Sequence, residues 1–274
     1  MDIGFKGSIE RLALGLALVA VAGCTTVTQR EVTFDGHPSG ASIEIREAAS
    51  EMWLYAQLAS TAYGDERKFA LPDHVTPETD PITLWSGFKA QAFNVAPPSG
   101  APYIVIAYAG TEGLGDWVFG NFNPFQTQGR QGLALLRRLQ QKYPTRKFVL
   151  VGHSLGGGIS KYAATRLPDV VAYVFNPSLV ATSGPYGSVE TVNGISQYAE
   201  VLAGVRKILP NGPGEYTTLG CHKAGAIGRH SIRVIAECLT HVAAWESAQA
   251  QTSLELNRLT PRRRIDPQTH TLVL

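Results

Sequence analysis

The hydrophobic pattern of the chain changes period several times, and each change predicts an element. Glu51 to Asp65 carries Leu54, Leu58 and Ala62 at helical spacing and stops at Gly64, which predicts a helix. Pro72, Pro77 and Pro81 then mark a loop. Leu84 to Phe93 alternates loosely as a strand, and Ala96 to Pro102 turns the chain. Tyr103 to Thr111 is a continuous β-branched and aromatic run, the pattern of a strand buried on both faces. Gln126 to Tyr143 returns to helical spacing through Leu133, Leu136 and Leu139, and Pro144 ends it. Lys147 to Gly152 reads as a strand, Leu155 to Leu167 as a helix, and Val170 to Phe175 as another strand. A last helix is expected to open near Ser231, with Ile232, Ile235, Ala236, Leu239, Val242 and Ala243 on one face. Strands alternating with helices of this length imply an α/β fold with a mostly parallel sheet and helices on both faces.

The two ends read differently. Lys6 and Arg11 lead into the 12-residue apolar run Leu12 to Gly23, too short to span a bilayer with ease and right for a signal-peptide core. The run ends in Val21-Ala22-Gly23-Cys24, which resembles the lipobox of bacterial lipoproteins. That resemblance implies lipidation of Cys24 and attachment to a membrane; an ordinary cleaved signal is the alternative. Thr25 rather than Asp after the Cys favours the outer membrane by the same analogy. The expected division is therefore a signal peptide over 1–23, a tether over 24–45, the main α/β domain over 46–260 and a tail over 261–274.

Of the 274 residues, 44% are hydrophobic and 17% charged, so a large core is available and wholesale disorder is excluded. A net charge of +2 gives no argument for nucleic acid. Two further cysteines, Cys221 and Cys238, can pair in an oxidising compartment or remain buried thiols. If paired, they would add about 3 kcal/mol of stability on the loop-entropy account. No His, Cys or Asp cluster has metal-ligand spacing, so neither a metal nor another cofactor is expected.

Chemistry concentrates where the strand Lys147–Gly152 meets the following helix. Gly152-His153-Ser154-Leu155-Gly156 is G-x-S-x-G in a strand–turn–helix setting, the context of a nucleophile elbow. Glycines at 152 and 156 let the turn close, and the turn pushes the Ser154 hydroxyl out at the carboxyl edge of the sheet. The neighbouring N–H groups, Leu155 first among them, can hold negative charge there. A nucleotide-binding glycine turn would need G-x-G-x-x-G or Lys-Ser/Thr, and neither is present.

Ser154 needs a base, and the base needs an acid. His230, just before the helix that starts near Ser231, is the preferred base, with His222 as its rival. His241 lies within a helix and His270 in the tail. Asp169 and Glu215 precede strands and so fall at the wrong end of the sheet, while Asp266 follows the histidine. Glu190 and Glu200 remain. Glu200 is preferred because it follows the expected strand "GISQYA" and so falls at a carboxyl end.

At these residues a family resemblance emerges. "IVIAYAGTEGLGDWVFGNF", "VLVGHSLGGG", "LYAQLASTAYGD" and "YVFNPS" are similar to the corresponding segments of class 3 (fungal-type) lipases. The resemblance covers residues 51–180 and implies an α/β-hydrolase fold acting on acyl esters. It also implies Thr111 and Leu155 as oxyanion donors, with Asp116 bracing the Thr111 loop. The Asp-x-Val-Pro-like segment that carries the acid in that family is absent, so Glu200 rests on chain position alone. No long apolar lid is evident.

The expectation is a membrane-anchored serine ester hydrolase whose partners are an acyl ester or lipid substrate and a membrane. A non-catalytic binding or scaffold lipoprotein on the same fold, or an acyltransferase, stands as the alternative.

Overall fold

The computed structural model describes residues 28–29, 36–64, 67–110, 123–178, 192–206, 214–221, 225–266, 268–269 and 271–274. Among the described residues, eleven strands and seven helices follow one another. They are β1 (Thr28–Gln29), α1 (Ile43–Thr61), β2 (Val75–Pro77), β3 (Ile82–Thr83), β4 (Lys89–Val95), β5 (Tyr103–Tyr108), α2 (Asn123–Lys142), β6 (Lys147–His153), α3 (Leu155–Ala164), β7 (Val170–Phe175), β8 (Val192–Gln197), α4 (Ala203–Arg206), β9 (Glu215–Leu219), α5 (Ala226–Arg229), α6 (Ile232–Ala243), α7 (Ala248–Leu256), β10 (Arg264–Asp266) and β11 (Thr271–Val273).

The main sheet runs β1-β9-β8-β7-β6-β5-β4-β2, with β3 also paired to β4. From β1 to β5 all neighbours are parallel, whereas β4 is antiparallel to β5 and to both β2 and β3. This is the mostly parallel α/β-hydrolase-type sheet that the alternating pattern predicts. The continuous apolar runs in β5, β6 and β7 follow from burial on both faces. One face packs against α1, α6 and α7 through residues such as Trp53, Leu58, Val151, Leu239 and Leu254. The other packs against α2 and α3 through Tyr108, Leu136, Leu150 and Ile159. Parallel register sets Tyr108 beside Gly152 and Val174, then His153 beside Phe175 and Ile195. The chain leaves β6, β7 and β8 at this one edge, carrying Ser154, Asn176 and Glu200.

Several boundaries differ from the pattern-based ones. The body starts before residue 46. Ser42 caps α1 by accepting from Ile45 N–H, Ser39 and Ala41 are buried, and β1 adds to the sheet beside β9. A polar segment without periodicity can still be structural when its hydrogen-bonding groups are taken up by a neighbour. The segment after 260 is likewise no free tail. β10 and β11 form an antiparallel pair, Ile265 is buried, and its N–H donates to Ser39 O at 2.7 Å. The helix at Ser231 is followed by α7, which the period of α6 alone does not announce. The strand expected from Leu84 begins only at Lys89, because Leu84 to Gly87 forms a turn with Gly87 at φ +79°.

Two long-range ties fix the helical face. Gln57 of α1, fully buried, donates to Thr240 Oγ1 of α6 and Ser253 Oγ of α7, both at 2.9 Å. A disulfide joins Cys221, just after β9, to Cys238 in α6, with a Cα–Cα distance of 6.1 Å.

Candidate active site

Ser154 sits at φ +54°, ψ −122°, a conformation that a non-glycine residue adopts only when its surroundings impose it. Its surroundings do. A Cβ at Gly152 would lie 2.3 Å from the Gly156 carbonyl, and one at Gly156 would lie 2.0 Å from Tyr108 O. Both obstacles are main chain, so neither can give way. The Ser154 peptide is then held at both ends: its N–H donates to Phe175 O at 3.0 Å, and its carbonyl accepts from Ser178 and Gly158 N–H. Leu155 heads α3, where first-turn N–H groups have no intrahelical acceptor. Thr111, Asp116, Glu190, His222, His270 and Cys24 lie outside the described residues. The chain does reach the elbow just before Thr111, since a Cβ at Gly110 would stand 3.0 Å from Ser154 Cβ.

His230 caps the short helix α5 and is buried beside the elbow, its ring centroid 4.8 Å from that of His153. Its Nδ1 is 2.5 Å from Glu200 Oε2. Its Nε2 is buried and hydrogen-bonded to nothing among the described residues, Ser154 Oγ included. Glu200 is itself buried, and its other carboxylate oxygen is paired with Arg206 of α4. Burial alone would raise the Glu200 pKa. The bond to His230, the Arg206 charge and the Leu202 N–H outweigh it and hold the carboxyl below the usual range. Arg206 also donates to Pro177 O at 2.9 Å, tying the acid to the segment after β7.

Ser154, Leu155, His230 and Glu200 are thus gathered at one sheet edge, and Gly152 and Gly156 shape it. His241 is elsewhere: it is buried in α6 and accepts from Arg263 N–H. Asp169 precedes β7 and Glu215 begins β9, both at the opposite edge from Ser154.

Sequence reasoning passed over four residues here: Arg206, Asn176, His153 and Tyr63. Asn176, at the end of β7, donates to Arg229 O at 3.1 Å and accepts from Gln197 N–H at 2.7 Å. His153 bonds the His230 carbonyl through Nε2 at 2.5 Å and Tyr63 Oη through Nδ1 at 2.7 Å. The sequence did contain one signal, since His153 stands inside the pentapeptide itself. Among the described residues, no three His, Cys, Asp or Glu side chains gather where an ion could sit.

The family model described as phospholipase-like, Tle-like phospholipase domain, matches residues 55–182, from within α1 past the end of β7. No curated protein matches the chain. Among solved structures, a triacylglycerol lipase from Penicillium expansum is similar at 15% identity and a TM-score of 0.47, over 70% of this chain and 97% of that one. The Rhizomucor miehei lipase–propeptide complex is similar at 13% identity and a TM-score of 0.41. That match covers 59% of this chain and 65% of the other, slightly under two thirds of its length. The sheet order and the elbow with its strained serine are those of an α/β-hydrolase-type fold, and residues 55–182 are similar to the phospholipase-like family.

Proposed function

We propose that this protein is a serine hydrolase of lipid acyl esters, phospholipids among them, working through Ser154, His230 and Glu200. Ser154 Oγ attacks the acyl carbonyl carbon while its proton passes to His230 Nε2. The oxyanion is held by the N–H groups of Leu155 and Thr111. Collapse of the adduct breaks the ester C–O bond, and the leaving alcohol takes the proton from His230. Water then attacks the acyl-enzyme by the same path, releasing the acid and restoring Ser154. Glu200 stays ionised, keeps the His230 proton on Nδ1 and stabilises the imidazolium that forms. In the resting enzyme the Ser154–His230 bond is open and tightens with substrate, as catalytic hydrogen bonds do elsewhere.

The observation that carries the reading is the buried His230 ring. Its Nδ1 is committed to a buried carboxylate, while its Nε2 is left unengaged beside an elbow serine. A buried nitrogen without a partner is costly, and a proton-transfer role gives it a use. The family model named for phospholipases supports the lipid class.

We also propose that Cys24 is lipidated and anchors the enzyme in the outer membrane, which would bring the site to its substrate. Among the described residues no helix is long and apolar enough to cross a membrane.

The test is covalent labelling by a fluorophosphonate, with hydrolysis rates over esters from short-chain to phospholipid. Wild type should label and Ser154→Ala should not. Labelling that survives in Ser154→Ala would refute the assignment. Cys24→Ser should release the protein from membranes, and unchanged fractionation would refute the anchor.

A further inference from the structure

The residue before the nucleophile is a histidine that the mechanism leaves unused, yet both of its ring nitrogens are engaged. Nε2 faces the carbonyl of His230, which can only accept, so Nε2 carries the hydrogen. In a neutral ring Nδ1 is then a lone pair, and it must accept from Tyr63 Oη–H. Tyr63 follows the end of α1, and its hydroxyl is hemmed in: a Cβ at Gly110 would come within 2.4 Å of it, and Arg67 lies over the ring at 4.6 Å. Burial, followed by repulsion from His230, holds His153 neutral.

We infer that His153, its ring held in place by Tyr63, is the mount that holds the main chain of the base. Tyr63 and His153 would then be positioning residues for a reaction in which neither touches substrate. The inference rests on the proposed role of His230.

The geometry around His230 is what makes this more than packing. Two consecutive carbonyls of the His230 segment hang from side chains at the ends of two adjacent strands. Arg229 O is held by Asn176 from β7, and His230 O by His153 from β6. Glu200 fixes the ring at Nδ1. The base is therefore pinned by its backbone on one side and by its ring on the other, and the direction of Nε2 follows. Tyr63 adds the part that sequence spacing hides. Without its O–H the lone pair on Nδ1 would be buried and unpaired. The ring would then lose the contact that fixes its plane, and the Nε2–H bond to the His230 carbonyl would be free to lengthen. An error of about 1 Å in the position of a catalytic group costs on the order of 100-fold in rate.

The inference is tested on the full chain with Ser154→Ala, Tyr63→Phe, His153→Gln, His153→Leu and the double variant Tyr63→Phe/His153→Gln. Hydrolysis of a short-chain p-nitrophenyl ester, fluorophosphonate labelling rate and thermal unfolding are measured together. Tyr63→Phe should lower kcat and the labelling rate about tenfold with KM unchanged. Glutamine presents an amide N–H near the reach of Nε2 and leaves no ring for Tyr63 to hold in plane. His153→Gln should therefore stay within a few-fold of wild type, His153→Leu should fall about 100-fold, and Tyr63→Phe should cost less than about twofold in the His153→Gln background. A purely structural role would give equal costs in both backgrounds, and that result would overturn the inference. So would Tyr63→Phe matching wild type while Ser154→Ala is inactive. Activity that persists in Ser154→Ala removes the proposed function and this inference with it. Nitrogen-15 histidine spectra of wild type need no variant to fold. They should show His153 as the neutral Nε2–H tautomer at pH 7, and an Nδ1–H or charged ring would overturn the inference.

Discussion

The elbow and the His230 segment meet at the same edge of the sheet, yet they are built in opposite ways. The elbow is local. Five residues spanning the junction of one strand and the next helix fix the backbone of Ser154, because Cβ atoms at 152 and 156 would strike main chain at 2.3 Å and 2.0 Å. The His230 segment is assembled from afar. It draws on Glu200 30 positions upstream, Asn176 bonded to Arg229 across 53 positions, His153 across 77, and a disulfide that closes the stretch from Cys221 to Cys238 around it. Ser154 is positioned by steric exclusion. His230 is positioned by hydrogen bonds that exist only after the sheet has formed, so the two halves should fail differently when damaged.

The largest effect is expected at Glu200. Glu200→Gln keeps the shape but can leave the His230 ring in the wrong tautomer, and kcat should fall by about 10³–10⁴, roughly 4–5 kcal/mol of barrier. Steady-state hydrolysis measures it. A variant within tenfold of wild type would mean that Glu200 is not the acid, and Glu190→Gln becomes the variant to examine. Gly156→Ala attacks the other side of the comparison. It should destabilise the fold by about 3 kcal/mol or more, visible in chemical denaturation, because the Tyr108 carbonyl cannot retreat from the middle of the sheet. Full stability in that variant would show the elbow to be more pliable than its contacts imply.

Removing the cross-link with Cys221→Ser/Cys238→Ser should cost roughly 3 kcal/mol of stability. It should lower kcat and the fluorophosphonate labelling rate of the folded enzyme together, since His230 lies between the two cysteines in sequence while Ser154 is untouched. Unfolding curves with and without reductant check the stability part, and superimposable curves would contradict it.

The smallest effect concerns pH. Burial, followed by the Arg263 charge, lowers the His241 pKa from about 6.5 to about 4, and His153 shifts in the same direction. The unfolded chain therefore takes up protons that the folded one refuses. Stability should be complete above pH 7 and decline as pH falls through 6.5 towards 4. His241→Asn, which keeps an acceptor for Arg263 N–H, should flatten that decline by on the order of 1 kcal/mol between pH 7 and 5. An unchanged slope would assign the decline to His153.

How far the chain could be read in advance follows the same division. The strand from Val170 to Phe175 and the helix heading from Leu155 were legible because apolar runs and a glycine turn are local signals. Glu200 was reachable from its place after an expected strand. Nothing in its neighbourhood disclosed that Arg206 would share it or that it would be buried. Tyr63 read as one more residue of an amphipathic helix, because its partner lies 90 positions away. The segments before 46 and after 260 read as tether and tail for a related reason. Their order comes from pairing with each other and with β9, not from a period of their own.

What the sequence alone determined was the alternation of strands and helices and the cramped corner that raises Ser154, because side-chain period and backbone sterics act within a few residues. Only the tertiary structure decided which histidine and which carboxylate meet beside it, and which imidazole bonds the His230 main chain. Those contacts arise from the register of parallel strands, and a parallel register is a property of the assembled sheet.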